Sequence, residues 1–169
     1  NFGIIGHAPT CASAVDYKAV RKADGVSCYI SSFDLLTRTH WTIEIFLPKD
    51  AGFFRTTTTW SNSAVLFQPY YTWMNTAETA TEDLEIIYPA TYTIGHEGQI
   101  SGFPYDGEEK RDISRYSQLD FGADKSFHPS GSQRGYFGAY WNDSDFGIMH
   151  CASRDEKLGR KFFSWAKSE

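Results

Sequence analysis

Apolar positions along this chain recur every second residue rather than every third or fourth, and a period of two predicts strands. "VDYKAVRK" and "VSCYISS" flank Ala23-Asp24-Gly25, and Asp-Gly between alternating runs is a hairpin signal. Val15, Tyr17 and Ala19 would share one face of the first strand, and Val26, Cys28 and Ile30 one face of the second. "THWTIEIFL" then sets Trp41, Ile43, Ile45 and Leu47 on one face, with Thr42 and Glu44 on the other. "PKDAG" turns the chain, the β-branched run "FFRTTTTWS" predicts another strand, and "SNS" turns it again. "LFQPYYTWMNTA" predicts a long aromatic strand in which Tyr70, Thr72 and Met74 point to the core. Pro69 has no N–H for a ladder, so it marks an edge, a strand start or a bulge.

The same grammar continues to the C-terminus. "LEIIYP" and "TYTIG" predict short strands separated by Pro89-Ala90. Residues 95–112, rich in Gly, Pro and acidic side chains, predict a long loop of the kind that carries function when ordered. "GYFGAYW" and "FGIMHCAS" pair across "NDSD", and "SRDEKLG" turns into "RKFFSWA". No segment has a helical period. Short strands with regular turn signals predict an all-β antiparallel sandwich or barrel. A chain of 169 residues is expected to form a single domain, 1–169, with no internal repeat.

Composition changes this picture in three places. Thirteen Phe, ten Tyr and five Trp supply stiff, flat side chains that fill β-cores and build ligand platforms. The formal net charge of −5 argues against nucleic acid, whose phosphates require a basic field. No apolar run approaches the roughly 20 residues that span a bilayer, so no membrane partner is expected. Cys11, Cys28 and Cys151 lack CxxC spacing and read as free thiols rather than a disulfide framework or zinc site. Asp143 and Asp145 in "NDSDFG" hint at a calcium loop, but the 12-residue pattern ending in Glu is missing and a hairpin turn is the better account. No metal and no cofactor are expected. Asn142-Asp143-Ser144 is a formal glycosylation sequon.

"NFGIIGHAPT", "YYTWMN", "YP", "IGHEG", "DISRY", "KSFHP", "YFGAYW", "DFG" and "GRKFFSWA" occur in an order and spacing that resemble the DUF5107 family over essentially the whole chain. The resemblance implies a bacterial protein of carbohydrate metabolism with a galactose-mutarotase-type β-supersandwich, of which this chain would be a fragment of a longer protein. It implies a saccharide partner and other domains of the parent chain, such as tetratricopeptide repeats. It favours a periplasmic or extracellular location over a cytoplasmic one. In mutarotases the catalytic base is a glutamate on a late strand; by analogy that residue would lie beyond Glu169.

Within that frame, the side chains suited to sugar chemistry are few. His7, between a glycine and a proline turn, and His96 are the candidate acids, because imidazole titrates near neutrality. Glu97 lies beside His96 between Gly95 and Gly98, and adjacent loop residues point apart, so one would face a ligand and the other would hold the loop. Tyr71, Trp73 and Asn75 alternate on one strand face, an aromatic plate next to an amide, which suits a sugar ring and its vicinal hydroxyls. Asp112 in "RDISRY", His128 in "KSFHP" and Tyr140 in "YFGAYW" complete the candidate binding set. The expected function is a carbohydrate-interacting module with acid–base catalysis at an anomeric or glycosidic carbon. The alternatives are a non-catalytic sugar-binding module and an intramolecular docking module.

Overall fold

The computed structural model describes residues 13–69, 72, 74–132, 134–153 and 159–165. The described elements are all β, with a single short 3-10 turn at Tyr116–Gln118, and every paired strand is antiparallel. The chain packs as two compact units, Asn1–Asn75 and Thr76–Glu169. Among the described residues no helix is long and apolar enough to cross a membrane.

The first unit is a four-stranded meander, β1 (Asp16–Lys22), β2 (Gly25–Asp34), β3 (Thr39–Pro48) and β4 (Arg55–Asn62), in sequence order. The Asp-Gly hairpin forms where the pattern placed it, pairing Lys22 with Gly25. Gly25 is required there, because a Cβ would lie 2.3 Å from the Leu47 carbonyl oxygen and 2.9 Å from the Phe46 ring. Since side chains alternate across a sheet, the register sets Ser27, Tyr29, Glu44 and Phe46 on one face. Val26, Cys28, Ile30, Ile43, Ile45 and Leu47 take the other face, as the alternation predicts. Among the described residues of this unit only Ser27, Thr39 and Phe46 are buried.

A polar network occupies the first face. Glu44 Oε1 accepts hydrogen bonds from Lys22 Nζ at 2.8 Å, Ser27 Oγ at 2.6 Å and Tyr29 OH at 3.0 Å. The Lys22 hydrogen bond, then those from Ser27 and Tyr29, hold the Glu44 carboxyl down at about 2. The Lys22 ammonium and the Arg55 guanidinium stand over the Phe46 ring, 5.4 and 5.1 Å from its centroid.

The second unit holds three sheets. Strands β6 (Tyr92–Gly95), β7 (Ile100–Gly102), β10 (Lys125–Ser130) and β13 (Phe162–Ser164) form one, in the order β13-β10-β6-β7. Strands β5 (Leu84–Ile87), β11 (Tyr136–Trp141) and β12 (Phe146–Cys151) form another, in the order β12-β11-β5, and β8 (Tyr105–Asp106) pairs with β9 (Arg111–Asp112). Tyr88, Phe103, Ile113, Leu119 and Phe127 form the core, with Phe137 and Phe162 packed against it. Phe127 stacks on Phe162 at 4.6 Å between centroids, and Tyr88 on Phe137 at 5.2 Å. Burial pushes the Tyr88 phenol well above its ordinary value.

Two expectations need correction. The aromatic strand expected over "LFQPYYTWMNTA" is not formed at its described positions: Leu66–Pro69, Thr72, Met74 and Asn75 lie outside any strand. Pro69 offers no N–H for a ladder, and both Thr72 and Met74, expected in the core, are exposed, Met74 at 62%. Second, residues 95–112 are not a continuous loop but contain β7, β8 and β9. The buried Asp106 organises the β8–β9 turn by accepting from the N–H groups of Glu108 and Glu109. The neighbouring strands β5 and β6 belong to different sheets.

Candidate functional site

The expected site residues are distributed over several elements. His7, Tyr71 and Trp73 lie outside the described residues. Asn75 is described and exposed, at the end of the first unit. His96 and Glu97 form the exposed tip of the β6–β7 hairpin, closed by Gly98 N–H to the Gly95 carbonyl at 3.1 Å. Gly98 has φ of 92°, the left-handed region that favours glycine. Glu97 accepts from the Gln99 side-chain amide at 3.1 Å. The glycine-flanked histidine and glutamate are therefore built into a hairpin turn.

The other three candidates hold local structure. His128, on β10, donates from Nδ1 to the Ile94 carbonyl of the neighbouring β6 at 3.0 Å. Asp112 Oδ1 accepts from the N–H and hydroxyl of Ser114 at 3.0 and 2.6 Å, and Asp112 Oδ2 pairs with Arg115 Nε at 3.5 Å. The Tyr140 hydroxyl donates to Asp145 at the β11–β12 turn, and that hydrogen bond raises its pKa.

Different residues converge at one end of the three-stranded sheet. Thr81, Glu82 and Asp83 lead into β5, while Trp141, Asp143 and Ser144 belong to the end of β11 and its turn into β12. Register brings the two segments together: Leu84 is opposite Trp141, and Trp141 is opposite Phe146. These six residues line a shallow depression open to solvent.

Asp83 is the linchpin of this depression. Its Oδ1 accepts from Thr81 Oγ1 at 2.5 Å and its Oδ2 from the Asp143 N–H at 3.0 Å. Its carbonyl accepts from the Asn142 side chain at 2.8 Å. The Thr81 hydroxyl, then the Asp143 N–H, lower the Asp83 pKa by bonding to its charged form. Trp141 Nε1–H donates to the Thr79 carbonyl at 3.0 Å, and the indole packs beside Phe146 at 5.9 Å. The indole is thus fixed in place before any ligand arrives. An aromatic side chain beside carboxylates and hydroxyls combines an apolar surface with hydrogen-bonding groups.

The sequence pattern marks "NDSD" as a hairpin turn, with a weak calcium-loop hint and a formal sequon, and not as part of a binding site. The available signals were the tryptophan ending β11 just before that turn and the acidic "TED" before β5, but their adjacency depends on pairing β5 with β11. Among the described residues no group of three or more His, Cys, Asp or Glu side chains is placed to hold a metal ion.

This antiparallel all-β chain matches the family described as "Domain of unknown function (DUF5107)" over residues 1–169. The chain belongs to that family. No curated protein and no solved structure matches it.

Proposed function

We propose that this chain is a saccharide-binding module of a carbohydrate-related protein and that the groove at Trp141 is its binding site. The observation that carries the reading is the depression in which one indole adjoins three carboxylates and two hydroxyls. A pyranose has apolar C–H faces and a rim of hydroxyls, so it needs a flat apolar neighbour and polar groups around it. The family resemblance, with its galactose-mutarotase-type supersandwich, supports the same ligand class. Binding without catalysis is the better form of the reading. Of the candidate catalytic residues, His96 and Glu97 stand on an exposed hairpin tip and do not line the groove, and His7 lies outside the described residues.

Calorimetric titration of the protein with a panel of oligosaccharides tests this. One class of sugar is expected to bind, and Trp141→Ala is expected to weaken it about tenfold or more, the cost typical of removing an aromatic anchor. Unchanged affinity in a folded W141A variant would remove the groove from the reading.

A docking role has its own observation. Phe33, Leu36, Val65 and Leu66 line a cavity of about 450 Å³ at one end of the first unit, with Arg38 and Gln68 on its wall. Val65 and the nearby Phe67 are fully exposed, and exposed apolar patches mark interaction surfaces. Recovery of soluble, monomeric protein after Val65→Ser and Phe67→Ser, from a parent that self-associates, would favour that role.

A further inference from the structure

We infer that β4 is a dimerisation edge: it pairs antiparallel with β4 of a second copy of this chain and joins the two four-stranded meanders into one continuous sheet. This surface belongs to the first unit and does not depend on the saccharide reading. Among the described residues β4 is the last strand of its sheet, so every second N–H and carbonyl along it points away from β3. Such an edge takes an extended backbone as its partner. Folded sheets commonly block it with charge, proline or a bulge. β4, "RTTTTWSN", has Arg55 as its single charged residue and neither proline nor glycine. Its ladder with β3 runs without a bulge from Arg55 opposite Phe46 to Asn62 opposite Thr39. Thr57, Thr58 and Thr59 are exposed.

The other edge of the same sheet is different. β1 carries Asp16, Lys18, Arg21 and Lys22, the kind of charge that guards an edge. One open edge and one guarded edge give a closed pair of copies rather than a growing filament. In the second unit β12 is also an uncharged edge, but Gly147 interrupts it, which weakens pairing.

The run Thr56–Thr59 favours a second copy over an unrelated strand. Side chains alternate across a sheet, so each face stays continuous only if a residue of β4 lies opposite its own copy. With Thr57 in that place, Thr56 meets Thr58 of the second copy; with Thr58 there, Thr57 meets Thr59. Either register sets threonine against threonine at its centre, a cross-strand pair favoured by hydroxyl hydrogen bonds. Arg55 then lies opposite Thr59 or Ser61, so no like charges meet.

A ladder of this length lies at the low end of specific interfaces, so the dimer is expected to dissociate with a Kd on the order of 10 µM. Sedimentation velocity of the whole chain, from about 1 to 200 µM, is expected to show a monomer converting to a dimer over that range. Thr58→Lys and Thr58→Asp each bring like charges together near the two-fold axis and are expected to raise Kd about tenfold or more. An equimolar mixture of the two variants is expected to regain the dimer. Circular dichroism checks that the variants fold, and Thr59→Lys, exposed on the other face, carries the same expectation should Thr58→Lys not fold. A chain that stays monomeric throughout would overturn the second copy as the partner of this edge. A dimer that Thr58→Lys leaves intact, or that the mixture fails to regain, would overturn β4 as the contact. Loss of the dimer in Val65→Ser, Phe67→Ser but not in Thr58→Lys would do the same and assign the contact to the apolar patch.

Discussion

Phe127 in the second unit lies against Phe162 inside a ring of aromatic and aliphatic side chains. In the first unit the corresponding place, on a central strand of its sheet, is taken by Glu44 and the three donors around it. Both units use antiparallel ladders, but they differ in what lies on the ladder. One buries rings, and its stability follows removed apolar area. The other gathers charge and hydroxyls on one face, so part of its stability depends on the protonation of Glu44. A shared class of secondary structure therefore says little about which force holds a given sheet.

The comparison can be broken most directly at Phe127, which is 3% exposed. Phe127→Ala is expected to cost about 3–5 kcal/mol, read from denaturant midpoints. A loss below about 1 kcal/mol would mean that the aromatic cluster is not the main support of its unit.

Gly25→Ala is the matching test in the first unit. The new methyl would meet the Leu47 carbonyl and the Phe46 ring, and overpacking of that kind costs roughly 1–3 kcal/mol. Thermal unfolding measures it; an unchanged midpoint would show that the β1–β2 turn moves freely to admit the methyl.

The network at Glu44 predicts a pH effect of defined sign. Its folded pKa, about 2, lies below the ordinary value of 4.5. Its contribution is therefore present above the ordinary value and is lost as pH falls through about 2. Glu44→Gln is expected to flatten the acid side of the stability profile between those values while leaving a neutral network in place. A variant whose acid profile matches the parent would show that the carboxylate is not the titrating element.

The smallest effect belongs to the hairpin tip. His96→Ala is expected to stay within about 0.5 kcal/mol of the parent in stability, as exposed turn positions do, and to leave sugar affinity unchanged. A loss of affinity beyond about threefold would return His96 to the binding site and weaken the assignment at Trp141.

How much of this was legible in the sequence depended on distance along the chain. The β1–β2 hairpin was legible because Asp24-Gly25 and the alternation on either side act over a few residues. The pairing of β11 with β12 was legible for the same reason, with "NDSD" between them. The core partners of Phe127 were not, since Phe103, Ile113 and Phe162 come from three other segments. Residues 95–112 were misread because β7, β8 and β9 are each only two or three residues long, too short for a period to show. His128 and Asp112 drew attention as titratable groups, yet their roles depend on partners, the Ile94 carbonyl and Ser114, that composition does not reveal.

The sequence by itself determined an all-β antiparallel chain, most of its strands, its nearest-neighbour hairpins and its family. Local alternation and turn chemistry are properties of adjacent residues, and family motifs need only order and spacing. The tertiary structure alone decided that β5 pairs with β11 rather than with its neighbour β6, and so brought Asp83 to Trp141. Strand partners far apart in sequence are chosen by the packing of whole sheets, and no local pattern encodes that choice.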